Sequence, residues 1–136
     1  MSVEQVQEAL ERYNAAEVEY LATGNFEPVR RVFAPDAVVY QADALPYGGE
    51  HRGYAELERT LATVRETWSE IEALEVNSVE DGDTAAVWER VRFVSRKTGR
   101  ELVTEVFARI KVQDGLIVEG RPFYKDTAAV LATITP

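Results

Sequence analysis

The sequence predicts a single α+β domain, with a curved antiparallel sheet packed on three helices in the order α-α-β-α-β-β-β-β. Two observations lead to this class. Apolar residues recur at helical spacing in the first half of the chain, and from about residue 71 onward β-rich segments alternate with short glycine turns. A curled sheet whose concave face lies against helices is an economical way to bury these apolar faces. The 136 residues show no break in composition, so one domain spanning 1–136 is expected.

The first helix is predicted to begin at a capping box formed by Ser2 and Gln5 and to stop at Gly24. Asn25 can cap a short second helix that Pro35 ends. A third helix follows Gly53. The residues that recur at helical spacing are Val6, Leu10, Tyr13, Glu17 and Leu21 on the first helix and Leu57, Leu61, Val64 and Trp68 on the third.

The strands follow from β-branched and aromatic runs between turn residues. A short strand at 37–41 leads into an irregular Gly- and Pro-rich loop at 43–52. Four more strands are predicted near 71–80, 84–95, 100–112 and 116–124. Their turns are Asp81-Gly82, Lys97-Thr98-Gly99 and Asp114-Gly115. Asp126 can cap a short closing helix at 127–133.

Composition excludes several classes of function. The net charge of -9, without a long run of Lys or Arg, disfavours binding to nucleic acid and to an anionic membrane surface. The absence of Cys rules out disulfides, and a single His rules out zinc sites that need two imidazoles. Asp81-Gly82-Asp83 has a spacing that can suggest a metal site but is more typical of a turn between strands, and no phosphate loop is present, so neither a metal nor a cofactor is expected. The first residues do not resemble a signal peptide and no apolar stretch is of membrane-spanning length, so we expect a cytoplasmic location.

Four segments carry a resemblance to a known family. They are Val-Phe-Ala-Pro-Asp-Ala-Val-Val-Tyr (32–40), Leu-Pro-Tyr-Gly-Gly-Glu-His-Arg-Gly (45–53), Asp-Gly-Leu-Ile (114–117) and Arg-Pro-Phe-Tyr-Lys-Asp-Thr (121–127). With the element order, they resemble the NTF2-like superfamily, and most closely its SnoaL-like branch. The resemblance implies a cone-shaped, cystatin-like roll whose mouth forms a ligand cavity. It does not imply one activity, because this fold hosts isomerases, cyclases, hydrolases, dehydratases and non-catalytic binders.

Two shorter segments, Tyr40-Gln41-Ala42 and Glu89-Arg90-Val91-Arg92, are similar to limonene-epoxide hydrolases. Those enzymes use a Tyr-x-Asn, an Arg-x-Asp and an aspartate on the last strand. Tyr40 and Arg90 match this pattern, whereas its Asn and two Asp positions hold Ala42, Arg92 and Pro122. The ketosteroid isomerase base falls at or next to Gln41, and the last-strand aspartate of polyketide cyclases falls near Pro122. Each of these three chemistries therefore lacks its carboxylate.

The turn after the second strand of the meander decides which side chains enter the cone. If Lys97-Thr98-Gly99 is a three-residue loop, Trp88, Arg90 and Arg92 lie on the same sheet face as Thr104, Val106 and Ala108, and the family resemblance implies that this face is inside the cone. This register is the one we favour, because it places Gly99 at the left-handed position. If the turn has two residues, the parity is reversed and Glu89 points inward with Val87, Val91 and Phe93. Burial would then raise the pKa of Glu89, although it can instead pair with Arg109 on the convex face.

The favoured register predicts an aromatic pocket with one basic edge. Tyr40, Arg90, Glu17 and His51 are the candidate catalytic residues. Tyr13, Trp88, Arg92, Thr104 and Tyr124 are the candidate ligand-binding residues. Two guanidinium groups on one strand face need an anionic partner, which is either Glu17 or a ligand anion. His51 is the only side chain in the chain whose ordinary pKa lies near neutrality, although a loop histidine between charged neighbours is more often solvated and idle.

Two functions remain open at this point. One is an enzyme that acts on a small, partly apolar metabolite by proton transfer or water addition. The other is a non-catalytic ligand-binding or dimerisation domain, which the missing family carboxylates favour. The convex face of the sheet is expected to be too apolar for open water, which predicts a homodimer through that face.

Overall fold

The computed structural model describes residues 2–136 as four helices and one six-stranded sheet. It confirms the predicted α+β class. The elements are α1 (Val3–Thr23), α2 (Glu27–Val32), β1 (Phe33–Gln41), β2 (Gly49–Arg52), α3 (Gly53–Thr67), β3 (Trp68–Asp81), β4 (Thr84–Ser95), β5 (Glu101–Gln113), β6 (Leu116–Tyr124) and α4 (Thr127–Ile134). No helix within residues 2–136 combines the length and apolar character needed to cross a bilayer.

The strands lie in the order β2-β1-β6-β5-β4-β3, so that the last four strands of the chain form the predicted antiparallel meander. β1 joins the meander by a parallel pairing with β6, which the sequence did not indicate. Both edges of the sheet are open. The edge strand β2 has four residues. The other edge strand, β3, has fourteen residues, and its pairing with β4 contains two register shifts.

Both ends of α1 and the start of α4 follow the predicted local signals, whereas α2 has Phe26 rather than Asn25 as its N-cap. The backbone N–H of Gln5 donates to the Ser2 hydroxyl (3.2 Å), and the Ser2 N–H donates to the Gln5 side chain (2.9 Å), which completes the capping box. Gly24 ends α1 in the left-handed conformation with φ of 78°. Asp126 accepts a hydrogen bond from the Ala129 N–H (3.0 Å) at the start of α4.

Three boundaries differ from the sequence prediction. β1 begins at Phe33, ahead of Pro35, because the residues before a proline are biased away from helical conformation. The short strand β2 lies inside the segment that was predicted to be an irregular loop, where it pairs with β1. Trp68 begins β3 rather than ending α3, and its ring packs against Phe93 at a centroid distance of 4.8 Å.

The buried side chains form two hydrophobic clusters on the concave side of the sheet. One cluster joins α1, α2 and β1, and Val6, Val29 and Ala37 are fully buried in it. The other joins Val130 of α4, Leu45 and Tyr47 of the 42–48 loop, and sheet residues such as Trp68 and Phe93. The helices therefore cover one face of the sheet. Side chains of both clusters line the space between the helices and the sheet.

Candidate functional site

A cavity of about 620 Å³ lies between the concave face of the sheet and helices α1 and α3. Its wall is mainly apolar and aromatic, with contributions from both hydrophobic clusters. The polar side chains that line it are Gln7, Glu11, Tyr13, Asn14, Glu17, Gln41, Tyr47, Thr60, Ser78, Glu89, Arg121 and Tyr124. A cavity of this size with few polar groups has the usual character of a small-molecule site.

The favoured register of the β4–β5 hairpin is wrong. Ser95 and Arg100 close the hairpin through a backbone hydrogen bond of 2.9 Å, so the connection contains four residues, 96–99. Gly99 is left-handed as predicted, with φ of 74°, but the extra residue reverses the parity of β4. Glu89 therefore lies opposite Val106 and faces the cavity, as the alternative register required.

Trp88, Arg90 and Arg92 lie on the outer face of the sheet, away from the cavity. Arg90 approaches Glu75 at 3.7 Å, and Arg92 contacts Glu70 at 3.2 Å and Glu101 at 3.0 Å. The indole N–H of Trp88 donates to Glu105 (2.9 Å). Arg90 and Arg92 therefore do not form the basic edge that was expected in the pocket. Their anionic partners are glutamates of the neighbouring strands rather than Glu17 or a ligand.

Tyr40 and His51 also lie outside the cavity lining. Val39 and Gln41 of β1 face the cavity, so alternation along the strand turns Tyr40 outward, where the Arg121 guanidinium stacks on its ring at 3.7 Å. His51, on β2, donates from Nε2 to the carbonyl oxygen of Tyr47 (3.0 Å). Neither side chain is placed to contact a ligand in the cavity.

Tyr13, Glu17 and Tyr124 line the cavity, as the sequence led us to expect. Tyr13 and Glu17 are one turn apart on α1, and Tyr124 lies on the concave face of β6. Thr104 is on the same sheet face, opposite Val91, but it is buried outside the cavity lining. The structure thus brings three of the nine predicted site residues together in one space.

Glu17 is a buried carboxyl group that α1 presents to the cavity, and it accepts a hydrogen bond from the Tyr13 hydroxyl. Burial raises the pKa of Glu17, while this hydrogen bond acts in the opposite direction. Burial and the adjacent Glu17 charge raise the pKa of Tyr13 well above its ordinary value. Tyr13 is therefore a neutral donor at neutral pH, and the Glu17 carboxyl is easier to protonate than one in water.

Glu89 is a second carboxyl group in the same cavity, on the sheet wall that faces α1. Burial raises its pKa first, and the negative charge of Glu17 raises it further. The charge of Glu89 in turn raises the pKa of Tyr13. Glu17, Glu89 and Tyr13 therefore form one electrostatically coupled group, in which protonating one carboxyl makes the other easier to ionise.

A chain of hydrogen bonds crosses the end of the cavity near α4. The Trp68 indole N–H donates to the Tyr47 hydroxyl (3.0 Å), which contacts the Tyr124 hydroxyl (3.2 Å). Tyr124 in turn donates to the side-chain oxygen of Gln41 (3.3 Å). Because that bond uses the only proton of the Tyr124 hydroxyl, Tyr47 is the donor in the bond between the two tyrosines. Burial raises the pKa of both tyrosines, so this chain stays neutral.

Sequence reasoning missed Tyr47 and did not assign Gln41 a role in the site. Tyr47 lies in a loop without periodicity, so nothing in its neighbourhood indicates which way its side chain points. Gln41 was considered only as an unsuitable base, yet alternation within β1 places it on the cavity side once Val39 is assigned to the core. Glu89 was named as the residue that would face the cavity if Arg90 and Arg92 did not. The length of the loop between β4 and β5 decides between these two arrangements.

The family model for the SnoaL-like domain matches residues 9–120, which include most of the cavity wall. The chain belongs to the SnoaL-like domain family. This match confirms the resemblance to the SnoaL-like branch. No curated protein matches this SnoaL-like domain in a comparison of sequences.

Solved structures share the fold of this SnoaL-like domain over nearly its whole length. An NTF2-like protein from Burkholderia xenovorans LB400 is 22% identical, with a TM-score of 0.85 and coverage of 99% of both chains. A candidate SnoaL-like polyketide cyclase from Jannaschia sp. CCS1 is 19% identical, with a TM-score of 0.82 and coverage of 100% of this chain and 98% of that one. A candidate isomerase from Rhodopseudomonas palustris is 16% identical, with a TM-score of 0.76 and coverage of 90% and 93%. At these identities the comparisons establish the fold alone.

Proposed function

We propose that this SnoaL-like domain binds a small, partly apolar molecule in its cavity and acts on it by proton transfer through Glu17. The observation that carries the proposal is a carboxyl group with a raised pKa inside a largely apolar cavity. A carboxyl in such surroundings holds a proton more readily than one in water, which suits it to take up and return a proton as a general acid–base catalyst. The names of the Jannaschia and Rhodopseudomonas proteins, a candidate cyclase and a candidate isomerase, agree with this class of reaction.

The proposed step is the removal and return of a proton bound to carbon next to a carbonyl group. The Glu17 carboxylate takes the proton and becomes the carboxylic acid, while the bonding electron pair moves onto the carbonyl oxygen. The hydroxyl of Tyr124, on the opposite wall, turns from Gln41 to donate its one proton to that oxygen when the ligand is bound. Glu17 then returns the proton at the same or another carbon, which exchanges or isomerises the ligand.

Glu17 thus keeps the proton-transfer role that the sequence suggested, whereas Tyr40, Arg90 and Arg92 do not enter the proposal. Epoxide hydrolysis of the limonene-epoxide hydrolase type is not part of it either. That chemistry uses an arginine in the cavity, and the Arg90 side chain pairs with Glu75 on the outer face. Pro122 lines the cavity on β6 but has no side-chain group that moves a proton.

The test measures exchange of carbon-bound hydrogen in heavy water by NMR, with a panel of two- and three-ring ketones such as tetralone. We expect the protein to accelerate exchange for at least one ketone, and Glu17→Gln to reduce this rate by roughly 100-fold or more. Glu19→Gln, an exposed change on the same helix, is the matched control and should keep full activity.

Two results would overturn the proposal in different ways. Binding of several ketones with no turnover, or equal turnover by Glu17→Gln, would leave the chain as a non-catalytic binding domain. No binding by any member of the panel would remove the small-molecule function altogether.

We also propose that two copies of the chain associate through the outer face of the sheet. Val103, Phe107 and Phe123 are 47%, 48% and 60% exposed there, and Phe107 lies directly opposite Phe123 on the neighbouring strand. Exposed aromatic residues on a broad strand surface are costly in water and are typical of an interface between subunits. A two-fold axis would bring each patch against its own copy.

A further inference from the structure

We infer that the cavity selects a small lipophilic amine, whose ammonium group pairs with Glu89 while its hydrocarbon part packs on the apolar wall. This inference rests on the proposed function and narrows its ligand class. Under it, Glu89 holds the ligand and Glu17 remains free to move a proton.

The first support is the charge inside the cavity. Glu17 and Glu89 line it from opposite walls, and Glu11 lies on α1 among its lining residues. Within residues 2–136, no Lys or Arg lies within ion-pair distance of Glu17 or Glu89. Buried carboxylates in proteins are normally paired with a cation, so a positively charged group is the partner that this cavity lacks.

Arg121 is the only cationic residue among those that line the cavity, and its charged group is engaged elsewhere. Its guanidinium stacks on Tyr40 at 3.7 Å and contacts Glu119, and both of these residues lie on the outer face. An anionic ligand would therefore meet carboxylates and no neutralising charge, which excludes carboxylates and phosphates as favoured ligands.

The second support is the aromatic character of the wall. The rings of Tyr13, Phe33, Tyr47, Phe93 and Tyr124 line the same cavity as the two carboxyl groups. Aromatic faces attract ammonium groups through their quadrupoles, by about 0.5–2 kcal/mol for each good contact. Rings and carboxylates together offset the desolvation of a cation, whereas a neutral alcohol of the same shape gains only the apolar contacts.

The test compares three ligands that share one ring system: naphthylmethylamine, naphthylmethanol and naphthoate. Binding is measured near neutral pH by calorimetry and by the shift in thermal unfolding. We expect the amine to bind at least about tenfold more tightly than the alcohol, which corresponds to about 1.4 kcal/mol, and the naphthoate to bind most weakly.

The variants separate charge pairing from cavity shape. Glu89→Gln should weaken the amine about tenfold or more and leave the alcohol unchanged, because it removes a charge and keeps the side-chain size. Glu72→Gln, an exposed change on the outer face of β3, is the control for net charge and should affect neither ligand. The comparison of ligands on the unmodified protein remains decisive if Glu89→Gln does not fold.

Equal binding of amine and alcohol, or tightest binding of naphthoate, would overturn this inference. The proposed proton transfer would still stand if the protein accelerates hydrogen exchange of a ketone. Amine binding that is insensitive to Glu89→Gln would overturn the assignment of Glu89. If none of the three ligands binds and no ketone binds either, the proposed function fails together with this inference.

Discussion

The hydroxyl group of Tyr47 connects a loop, the start of β3 and the last strand. It accepts from the Trp68 indole at 3.0 Å and donates to the Tyr124 hydroxyl at 3.2 Å. Trp68 is only 1% exposed, so its N–H depends on a buried acceptor, which Tyr47 supplies. Both the position of the indole and that of the Tyr124 hydroxyl in the cavity depend on this one side chain.

Tyr47→Phe should lower the free energy of unfolding by about 1–3 kcal/mol, because it leaves a buried N–H without an acceptor. Urea unfolding followed by tryptophan fluorescence measures this directly. Tyr40→Phe is the matched control, since the Tyr40 ring keeps its contact with Arg121 on the outer face, and its effect should stay below about 0.5 kcal/mol. Equal stability of Tyr47→Phe and the unmodified protein would show that the hydrogen-bond chain contributes nothing.

At the same scale, sequence reasoning succeeded where local geometry alone fixes a side-chain direction. Tyr13 and Glu17 are four residues apart on a helix with clear caps, so their common face follows from the helical repeat. Arg90 and Arg92 are on a strand whose bounds were predicted correctly, yet their face was not. Along a strand, a one-residue difference in the preceding or following turn reverses every side chain.

At the scale of elements, the 96–99 loop is the feature on which the site depends. It places Val87, Glu89 and Phe93 inside the cone, and Gly99 ends it with φ of 74°. The sequence contained the glycine signal but not the loop length, because three- and four-residue hairpin loops both place a glycine at the last position. The short strand β2 was missed for a related reason, since its four residues pair with β1 and carry no periodicity of their own.

Gly99→Ala should lower the free energy of unfolding by about 1–2 kcal/mol, because a β-carbon is unfavourable in the left-handed conformation. Apart from Gly99 and its two neighbours in the chain, no atom of residues 2–136 lies within 4 Å of that β-carbon, so the backbone conformation accounts for the cost. Gly99→Asn should cost less, since Asn tolerates this conformation. Urea unfolding of both variants measures the difference, with Lys97→Ala in the same loop as the control. An Asn variant as unstable as the Ala variant would contradict this explanation.

At the scale of the whole molecule, the two faces of the sheet have separate roles. The concave face carries both hydrophobic clusters and the cavity, and the outer face carries the ion pairs of Arg90 and Arg92 and the exposed aromatic patch. The general architecture was predictable because the order of helices and strands leaves few ways to bury their apolar faces. The parallel pairing of β1 with β6 joins segments about eighty residues apart, and no local signal specifies such a partner.

The outer face predicts the state of assembly. The unmodified chain should sediment as a dimer at micromolar concentration, and Phe107→Lys should shift it to a monomer, because the change places a charge in the centre of the patch. Analytical ultracentrifugation measures both. Val18→Lys is the matched control, since Val18 is also exposed but lies on α1, and that variant should remain dimeric. A monomeric unmodified chain would refute the proposed association.

The open edge formed by β3 has a consequence for how the protein responds to salt. This edge carries Glu70, Glu72, Glu75, Glu80 and Asp81, and the irregular pairing with β4 distorts its line of backbone donors and acceptors. Although Glu70 and Glu75 pair with Arg92 and Arg90, the charges of this edge as a whole repel the same edge of another molecule, which opposes joining of sheets edge to edge. Salt screens these charges, so high ionic strength is the condition under which neighbouring sheets can merge into continuous ribbons.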